Sequence, residues 1–443
     1  MRVLWVCNIM LPRIANALGQ EVNNKEGWIT GLMEAVLRFN KEQPEKEVQL
    51  GIAFPIAKGE ALLTGALPIN EDYDIPFYGF REDVLAADRY DAEIEADMQY
   101  IFEQFKPDMI HCFGTEYPHT LAAVKTYGKP ERTLIGIQGL CRVYADCYMA
   151  DLPKAVQRSV TFRDLYKKDT LFKQQEKFED RGQMEMLAIK GAGHITGRTH
   201  WDKHWTLKWN PDAKYHVMNE TLREEFSTGA WEKENCIPHR IFLSQGDYPI
   251  KGLHYMLLAL PEILKEFPDT KVSVAGNCIL RKGLLGKLKI SAYGAYVQRL
   301  ISQYGLQDHI EFLGRLNAKE MKEAYLKSHL FVCPSSIENS PNSLGEAMVL
   351  GVPVVTADVG GIRTMMAEDE GIIYEGYRAE YATVENQLEK VSHRLALSVI
   401  DAFKHEAATL GRAKRAKEHA IKTHNGEVNN RRLIEIYEDC ICI

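Results

Sequence analysis

The sequence predicts an α/β protein with two domains, and two observations support this prediction. Short apolar runs of strand length alternate with amphipathic helical segments along most of the 443 residues, a pattern typical of parallel sheets flanked by helices. The alternation stops at a polar stretch, STGAWEKENCIP (227–238), and then starts again. A chain of this length is too long for one hydrophobic core, so we expect domains at residues 1–226 and 239–424.

The elements follow in order along the chain. In the first half we expect strands at residues 2–8, 48–54, 108–114, 132–139, 194–197 and 214–220. A polar loop after the first strand ends at Gly27, and a helix, WITGLMEAVLRF, follows it. In the second half we expect strands at residues 240–246, 271–276, 310–314, 330–334 and 352–357, with helices between them. The chain is predicted to be helical after residue 380.

Composition excludes several classes of protein. The 54 basic and 61 acidic side chains give a net charge of −7, which argues against a globally basic nucleic-acid-binding surface, so we expect no nucleic-acid partner. The nine cysteines include no C-x-x-C pair, which suits a reducing cytoplasm and indicates neither a disulfide framework nor a zinc site. No apolar run reaches the roughly 20 residues that span a bilayer. Asn8 and Arg13 interrupt the apolar start of the chain, which therefore does not fit a signal peptide.

The stretch SSIENSPNSLGEAMVLGVPVV (335–355) predicts a helix between two buried strands. Ser340 is a good N-cap, Pro341 suits the first helical position, and Gly351 suits a left-handed residue at the end of the helix. A strand, helix and strand in this order make parallel strands, and ligands bind beyond the carboxyl ends of such strands.

Two glutamates flank the start of this helix. Glu338 lies in the loop at the carboxyl edge, and Glu346 lies too deep in the helix to act as its cap. The backbone N–H groups of residues 342–344 are expected to be free for an anion. An ordinary solvated glutamate in a βαβ unit is the alternative interpretation of this stretch.

Other motifs of the second half are expected at the same edge. Lys251-Gly252 opens a helix after the first strand, Gly276-Asn277 ends the next strand, and Gly360-Gly361 follows a later one. A lysine and helix N-termini that face one point suit a diphosphate, and carboxylates suit the hydroxyl groups of sugars. The combination predicts a nucleotide-sugar pocket.

This order of motifs resembles the retaining GT-B glycosyltransferases of family 4. The shared pattern is K-G, a glycine-ended strand, P-S-x-x-E-x7-E-A-M, G-V-P-V-V and G-G, and GRTHWDKHW, NETLREEF and SIENSPNSLGEAM look like a bacterial branch that builds capsular or other surface polysaccharides. The resemblance implies two Rossmann-like domains facing a central cleft, with a helix at about 425–443 packed back on the N-terminal domain. It also implies a metal-independent hexosyltransferase that moves a sugar from a nucleotide-diphosphate sugar to a glycan, lipid-linked or other hydroxyl acceptor.

The family's site residues carry over by position. Glu338 would hold a hydroxyl of the donor sugar, Lys251 would neutralise the departing diphosphate, and Glu346 would hold the ribose hydroxyls. No cofactor or metal is expected besides the nucleotide-sugar substrate. The other donor-binding positions that the resemblance implies are Gly27, Gln138, Gly276, Asn277, Ser340, Asn342, Ser343 and Leu344.

Two positions depart from the family pattern. Relatives usually carry an arginine five residues before the lysine, where this chain has Gly246. Arg281 or Lys282 in the basic loop ILRKGLLGKLK would be a substitute, with a solvated loop as the alternative. Relatives often carry histidine where this chain has Gln138, which cannot titrate but can donate hydrogen bonds.

Other interpretations stay open at this point. A sugar-nucleotide epimerase of the same fold, or a non-catalytic partner subunit, is the alternative to a transferase. Asp72-Tyr73-Asp74 is formally a D-x-D metal motif, but it lies in an acidic turn. Glu116 and His119 follow a strand and are candidates for contact with substrate, whereas His111 is expected to be structural.

The segment RSVTFRDLYKKDTLFKQQEKF (158–178) mixes basic and apolar side chains. It is compatible with lying on an anionic membrane surface, which would make the protein peripheral to the inner face of the membrane. The alternative, which the segment favours at least as much, is a plain amphipathic helix that caps the cleft.

Overall fold

The computed structural model describes residues 1–20, 27–70, 73–281, 283, 286, 288–378 and 386–441. The chain forms two compact units, each built on one sheet. The first unit contains Met1–Val143, Lys177–Arg223 and His424–Ile443, and the second contains Tyr144–Glu176 and Glu224–Thr423. The predicted α/β class with two parallel-sheet domains is confirmed.

The first unit has an eight-stranded sheet with the order β3-β4-β2-β1-β5-β6-β7-β8. All described neighbours are parallel except the β3–β4 pair. The strands are β1 (Arg2–Val6), β2 (Gln49–Ile56), β3 (Leu63–Pro68), β4 (Asp74–Arg81), β5 (Met109–Phe113), β6 (Thr133–Gly136), β7 (His194–Gly197) and β8 (Lys214–Val217).

Alternate residues of the first sheet supply two cores, one on each face. Val3 and Trp5 belong to one core, and Leu4 and Val6 belong to the other, as the two-residue period of a strand requires. The first core includes Tyr437 near the chain end, whose hydroxyl accepts a hydrogen bond from Trp5 Nε1 at 2.8 Å. Residues 424–443 therefore contribute buried side chains to the first unit.

The second unit has a six-stranded parallel sheet with the order β11-β10-β9-β12-β13-β14. Its strands are β9 (Ile237–Leu243), β10 (Lys271–Ala275), β11 (Ile310–Gly314), β12 (Ser328–Cys333), β13 (Val354–Ala357) and β14 (Ile372–Tyr374). In chain order this is the Rossmann arrangement 3-2-1-4-5-6, which places a topological switch point between its first and fourth strands. The switch point therefore lies between β9 and β12.

The described helices connect the strands of both units and form the end of the chain. They are α1 (Pro12–Ala17), α2 (Gly27–Glu42), α3 (Glu93–Phe105), α4 (Pro118–Tyr127), α5 (Cys141–Asp146), α6 (Lys154–Gln157), α7 (Phe162–Lys167), α8 (Leu171–Lys190), α9 (His200–Trp209), α10 (Leu253–Glu266), α11 (Ala292–Gln303), α12 (Ala318–Lys327), α13 (Asn342–Leu350), α14 (Ile362–Met365), α15 (Gln387–Lys404), α16 (Glu406–Thr423) and α17 (Gly426–Ile441). Among the residues described, no helix combines the length and apolar character needed to cross a bilayer.

The segment 144–176 groups with the second unit, although the sequence placed it in the first domain. Two hydrogen bonds explain this grouping. His254 Nε2 donates to the carbonyl oxygen of Ala150 at 2.7 Å, and Thr161 Oγ1 donates to that of Ile290 at 2.7 Å. Both bonds join positions more than a hundred residues apart in the chain, which sequence periodicity does not report.

Candidate active site

The site at the switch point begins with Lys251, which the turn after β9 positions. The turn Pro249–Lys251 is a short 3₁₀ helix, and Gly252 follows it with a φ of 70°. A Cβ atom at residue 252 would lie 1.9 Å from the carbonyl oxygen of Pro334, which follows β12. Only glycine permits this approach, because any side chain would collide with the backbone. The Lys251 loop is thus held against the end of β12.

Glu338 in the loop after β12 is the partner of Lys251. Lys251 Nζ donates to Glu338 Oε1 at 2.6 Å, and Ser335 Oγ donates to the same oxygen at 2.7 Å. The Glu338 residue is 5% exposed, and the Lys251 side chain is 19% exposed. Two residues that the sequence assigned to one site therefore form a nearly buried ion pair.

The backbone around Glu338 is fixed by contacts on both sides. The N–H of Gly361 donates to the carbonyl oxygen of Glu338 at 3.0 Å, and a Cβ at residue 360 would lie 1.9 Å from that oxygen. On the other side, the N–H of Asn339 donates to the hydroxyl oxygen of Tyr144 at 3.2 Å. The Gly360-Gly361 motif therefore positions Glu338, and Tyr144 is a supporting residue that the sequence analysis missed.

The ion pair determines the charge state of its neighbours. Burial alone lowers the pKa of Lys251, but the Glu338 carboxylate and the nearby Tyr248 outweigh burial and hold that pKa well above its ordinary value. Burial, reinforced by Glu338, raises the pKa of Tyr144 well above its ordinary value. Lys251 is therefore a cation and Tyr144 a neutral phenol across the physiological pH range.

The helix α13 starts beside Glu338, with Asn342 as its first residue. Its N-cap is Pro341, which makes no side-chain cap, so the prediction that Ser340 caps the helix is wrong. The Ser340 hydroxyl is buried and has no partner within the described part of the chain. The extended φ/ψ of Pro341 shifts the cap by one residue, because the chain enters the helix only after the proline ring.

Of the three N–H groups at the start of α13 that were predicted to be free, one forms a hydrogen bond. The N–H of Leu344 donates to the carbonyl oxygen of Pro341 at 2.9 Å, so it is not free as predicted. No bond within the described structure is recorded for the N–H groups of Asn342 and Ser343. Two N–H groups at a helix start, next to the cation of Lys251, make a place where an anion is favoured.

Glu346 lies on the second turn of α13 and is 3% exposed. The Tyr325 hydroxyl, on α12, lies 2.9 Å from the carbonyl oxygen of Ser343 and 3.4 Å from Glu346 Oε2. The first distance is typical of a good hydrogen bond and the second of a weak one. Tyr325 thus ties α12 to the start of α13, a contact that the sequence did not indicate.

A polar network lies at the ends of β9, β10 and β11. Asn277 Nδ2 donates to Asp247 Oδ2 at 2.8 Å, and Arg315 Nε donates to Asn277 Oδ1 at 2.7 Å. Gly276 has a φ of 98° and donates its N–H to the carbonyl oxygen of Gly314. The predicted pair Gly276-Asn277 therefore meets an exposed arginine, Arg315, that the sequence analysis did not consider.

Comparison with known proteins identifies the part of the chain that carries this site. A family model described as "Glycosyl transferases group 1" matches residues 237–394. Residues 237–394 form a glycosyl transferases group 1 domain. The resemblance to this glycosyltransferase family that the motifs indicated is therefore confirmed for residues 237–394, which include the Lys251–Glu338 pair, the start of α13 and Glu346.

Curated and solved relatives agree with this identification. An uncharacterized glycosyltransferase of Methanocaldococcus jannaschii is 27% identical over 169 residues, which cover 38% of this chain and 36% of that relative. A sucrose-phosphate synthase from Thermosynechococcus elongatus matches with a TM-score of 0.66 at 12% identity, over 99% of this chain and 98% of its own. HepE of Anabaena, solved with UDP-glucose, matches with a TM-score of 0.59 at 14% identity, over 98% and 99%. The chain has the GT-B fold over nearly its whole length.

Close packing around residue 246 explains why this chain has a glycine there. A Cβ at this residue would lie 2.8 Å from Val274 Cγ1 and 3.1 Å from Leu253 Cδ2. A side chain here would therefore press on two buried apolar residues. Arg281, one suggested substitute for the missing arginine, donates from its Nη1 to the carbonyl oxygens of Cys278 and Leu280 in its own loop. Lys282 lies outside the described residues.

Gly27 and Gln138 are the predicted site residues that lie in the first unit. Gly27 is the first residue of α2. Gln138 follows β6 and lines a small cavity of about 20 Å³ together with His111, Arg198 and Glu220. A cavity of this size holds about one water molecule, and the Nε2 atom of His111 lacks a partner among the described groups.

Two further candidates of the first unit have structural partners. His119 is fully buried, and its ring nitrogens contact Glu82 Oε2 at 2.7 Å and Asn8 Oδ1 at 3.0 Å. Glu116 accepts from the N–H groups of Thr115 and Gly139. His119 therefore has no ring nitrogen left for a substrate in this arrangement.

Asp74 of the D-x-D sequence belongs to an antiparallel hairpin of β3 and β4 that the sequence analysis missed. Asp74 is the first residue of β4 and pairs with Pro68 at the end of β3. Asp72 lies outside the described residues. The missed strands contain prolines and glycines, which weaken a strand pattern.

His194, His216 and Cys440 form a group in the first unit with a possible metal-ligand composition. The nitrogens His194 Nδ1 and His216 Nε2 lie 2.9 Å apart, and the two ring planes differ by 18° with their centroids 5.2 Å apart. These values describe two nearly coplanar rings joined edge to edge by one N–H···N hydrogen bond. Metal ligation requires the lone pairs of both rings to converge on a common point. In this arrangement they do not.

Proposed function

We propose that this protein is a retaining glycosyltransferase that moves a sugar from a nucleotide-diphosphate sugar to a hydroxyl acceptor. The observation that supports this proposal most is the buried Lys251–Glu338 pair at the switch point, beside the free N–H groups of Asn342 and Ser343. A cation and a helix start suit a diphosphate, and an adjacent carboxylate suits a sugar hydroxyl. The glycosyl transferases group 1 domain over residues 237–394 supports the same chemistry.

In the proposed site, the diphosphate, the sugar and the ribose of the donor each contact a different part of the protein. The diphosphate lies against Lys251 and the start of α13, and Glu338 accepts hydrogen bonds from hydroxyls of the sugar. Glu346, on the second turn of the same helix, accepts from both ribose hydroxyls. Ser340, Leu344, Gly276, Asn277 and, from the first unit, Gly27 and Gln138 complete the proposed set.

Retention of configuration follows from attack on the face that the diphosphate leaves. In this mechanism the acceptor oxygen forms a bond to the anomeric carbon as the bond to the diphosphate breaks. The departing phosphate oxygen takes the acceptor's proton, so no protein base is required. Lys251 stabilises the negative charge that develops on the leaving group, and its raised pKa keeps it charged during turnover.

We propose that no divalent metal is needed. The lysine cation and the helix N–H groups supply the positive charge that a metal supplies in other transferases. Arg315, which follows β11 and donates to Asn277, is a second cation at the carboxyl edge of the same sheet. Arg315 is thus a better candidate than Arg281 for the role of the arginine that position 246 lacks.

The acceptor and the cellular setting are narrower proposals. A glycan or lipid-linked acceptor in polysaccharide synthesis accords with the motifs of the chain, and the cytoplasm accords with its described cysteines, all of which are free. UDP-glucose, which HepE of Anabaena holds in its solved structure, is the first donor to test.

A panel of nucleotide sugars tests the proposal. The purified chain is incubated with UDP-, GDP- and ADP-linked sugars, and release of nucleoside diphosphate is measured with and without simple glycosides as acceptors. A transferase releases nucleoside diphosphate from one donor and forms a product with the donor's anomeric configuration. An epimerase changes the sugar without this release, and a partner subunit does neither. Lys251→Ala is the inactive control, and Lys265→Ala, an exposed lysine in the last turn of α10, is its matched variant.

A further inference from the structure

An exposed apolar surface lies on the segment 144–176 of the second unit. Its five members are large apolar side chains between residues 160 and 172, which we call the 160–172 patch. Their exposed fractions are 47% for Val160, 61% for Phe162, 67% for Leu165, 77% for Tyr166 and 49% for Phe172. Large apolar side chains exposed together mark an interaction site more often than scattered ones do.

The helix at the centre of the patch, α7, buries an acidic side chain and exposes its apolar ones. In α7 the acidic residue Asp164 is 1% exposed, whereas Phe162, Leu165 and Tyr166 point to solvent. Asp164 Oδ2 accepts a hydrogen bond from the backbone N–H of Ala292 at 2.9 Å. A capping box between Thr161 and Asp164 closes the start of the helix.

The outward orientation is therefore held in place by the rest of the unit. Thr161 Oγ1 donates to the carbonyl oxygen of Ile290 at 2.7 Å, and Leu171 after the helix is 1% exposed. A helix anchored through its polar side cannot rotate its apolar side inward without breaking these bonds. The apolar face thus stays exposed to solvent for as long as this fold is intact.

The surroundings of the patch are basic, although the chain as a whole is acidic. Residues 154–173 contain six basic and two acidic side chains, in a chain with a net charge of −7. Arg163 pairs with both acids, Asp164 and Asp169, at 3.1 Å. Lys167 and Lys168 are exposed and have no ion pair within the described structure. The patch therefore combines exposed apolar and aromatic side chains with two lysines, Lys167 and Lys168, whose charge no acidic side chain of the described structure neutralises.

We propose that the 160–172 patch binds the surface of an anionic lipid bilayer. Phe162, Leu165 and Tyr166 would enter the headgroup region, and the lysines beside them would face lipid phosphates. This combination of apolar side chains with lysine is what interfacial segments use, since burial and electrostatic attraction add together. A second copy of the chain is a poorer partner, because two basic surfaces would repel each other. The inference goes beyond the proposed transferase activity and does not depend on it.

Vesicle sedimentation tests the inference with the full chain. We expect binding to vesicles of phosphatidylglycerol and phosphatidylcholine, and little binding to phosphatidylcholine alone. Combining Lys167→Gln with Lys168→Gln should weaken binding about 30-fold, from about 1 kcal/mol per lysine near the surface. The triple variant Phe162→Ser, Leu165→Ser and Tyr166→Ser should weaken it more than tenfold.

A matched control separates the patch from general surface polarity. Leu397→Ser with Ile421→Ser changes side chains of 48% and 50% exposure elsewhere in the second unit, and should bind vesicles like the unchanged protein. Equal binding by the triple variant and this control would overturn the inference. So would dimerisation through the patch, seen by ultracentrifugation as a dimer that only the triple variant loses. Donor hydrolysis without vesicles should be equal in both variants, so a failed transferase assay leaves this test intact.

Discussion

Lys251 and Glu338 are held together by a hydrogen bond of 2.6 Å between Nζ and Oε1, in a site where both side chains are largely buried. The two groups come from loops on either side of the switch point, after β9 and after β12. Removal of either one leaves the other charge buried without its main partner, which is costly. An amide oxygen at position 338 can still accept from Lys251 Nζ, so Glu338→Gln keeps this cation hydrogen-bonded.

The first prediction concerns the cation. Lys251→Ala should lower turnover on the order of 10²- to 10³-fold, the usual scale for losing one preorganised electrostatic group. Initial rates of nucleoside diphosphate release measure this, with Lys265→Ala as the control that retains full turnover. A Lys251→Ala enzyme with more than half of the original turnover would remove Lys251 from the mechanism.

The second prediction concerns metal ions. Because Lys251 and the start of α13 are proposed to carry the charge of the diphosphate, EDTA should leave transfer largely intact. Rates are compared after chelation and after Mn²⁺ or Mg²⁺ is restored. The contrary result is that EDTA abolishes transfer, that Mn²⁺ restores it, and that Lys251→Ala has little effect on turnover. In that case Asp74 and its acidic neighbours become the candidates for the charge-neutralising role.

The third prediction separates positioning of Glu338 from backbone strain. Gly360→Ala places a Cβ 1.9 Å from the carbonyl oxygen of Glu338, and its φ is 52°. Gly305→Ala has a similar φ of 66° with no atom within 4 Å of the added Cβ. Both variants should lose about 1 kcal/mol of stability from the left-handed conformation, but only Gly360→Ala should lose turnover. Thermal unfolding and rates of both variants measure the two effects, and equal turnover would contradict the proposed positioning.

The fourth prediction concerns pH and His254. Burial lowers the pKa of this histidine to about 4, and it is fully buried, with Nε2 donating to the carbonyl oxygen of Ala150. The unfolded chain binds a proton near pH 6.5 whereas the folded chain does not, so stability present above pH 6.5 is lost as the pH falls toward 4. Between pH 6.5 and 5 this loss is about 2 kcal/mol.

Urea unfolding at pH 7 and pH 5 measures the contribution of His254. His254→Gln should lose about 2 kcal/mol less than the unchanged protein when the pH is lowered. His204→Gln, at an exposed histidine, should show the same pH dependence as the unchanged protein. An identical loss in all three proteins would mean that His254 accepts a proton in the folded state.

Local signals in the sequence predicted much of the second sheet and its edge. The strand runs, Gly351 at the end of α13, Gly276 after β10 and the Gly360-Gly361 pair after β13 follow from periodicity and backbone sterics, which act over a few residues. The K-G and E-x7-E motifs identified Lys251 and Glu338 as members of one site. Their pairing through Oε1 was not predictable, because motif order does not fix a side-chain contact.

What the sequence could not predict depends on contacts between distant segments. Tyr144 contacts Asn339 from 195 positions away in the chain, and Tyr325 contacts Glu346 from 21 positions away. No local pattern marks either tyrosine. The assignment of residues 144–176 to the second unit depends in the same way on partners such as His254. A local contact was also missed: the N–H of Leu344 donates to the carbonyl oxygen of Pro341, a turn geometry that the residue types alone left open.

The proposed division of roles between the two glutamates is the central claim, and calorimetric titration of the nucleoside diphosphate into three proteins tests it most directly. The account predicts that Glu346→Ala weakens binding about 10- to 150-fold, since a charge-assisted hydrogen bond contributes about 1.5 to 3 kcal/mol. It predicts that Glu338→Gln binds the nucleotide as the unchanged protein does, while its turnover falls. Unchanged affinity in Glu346→Ala, or equal losses of affinity in both variants, would contradict the account.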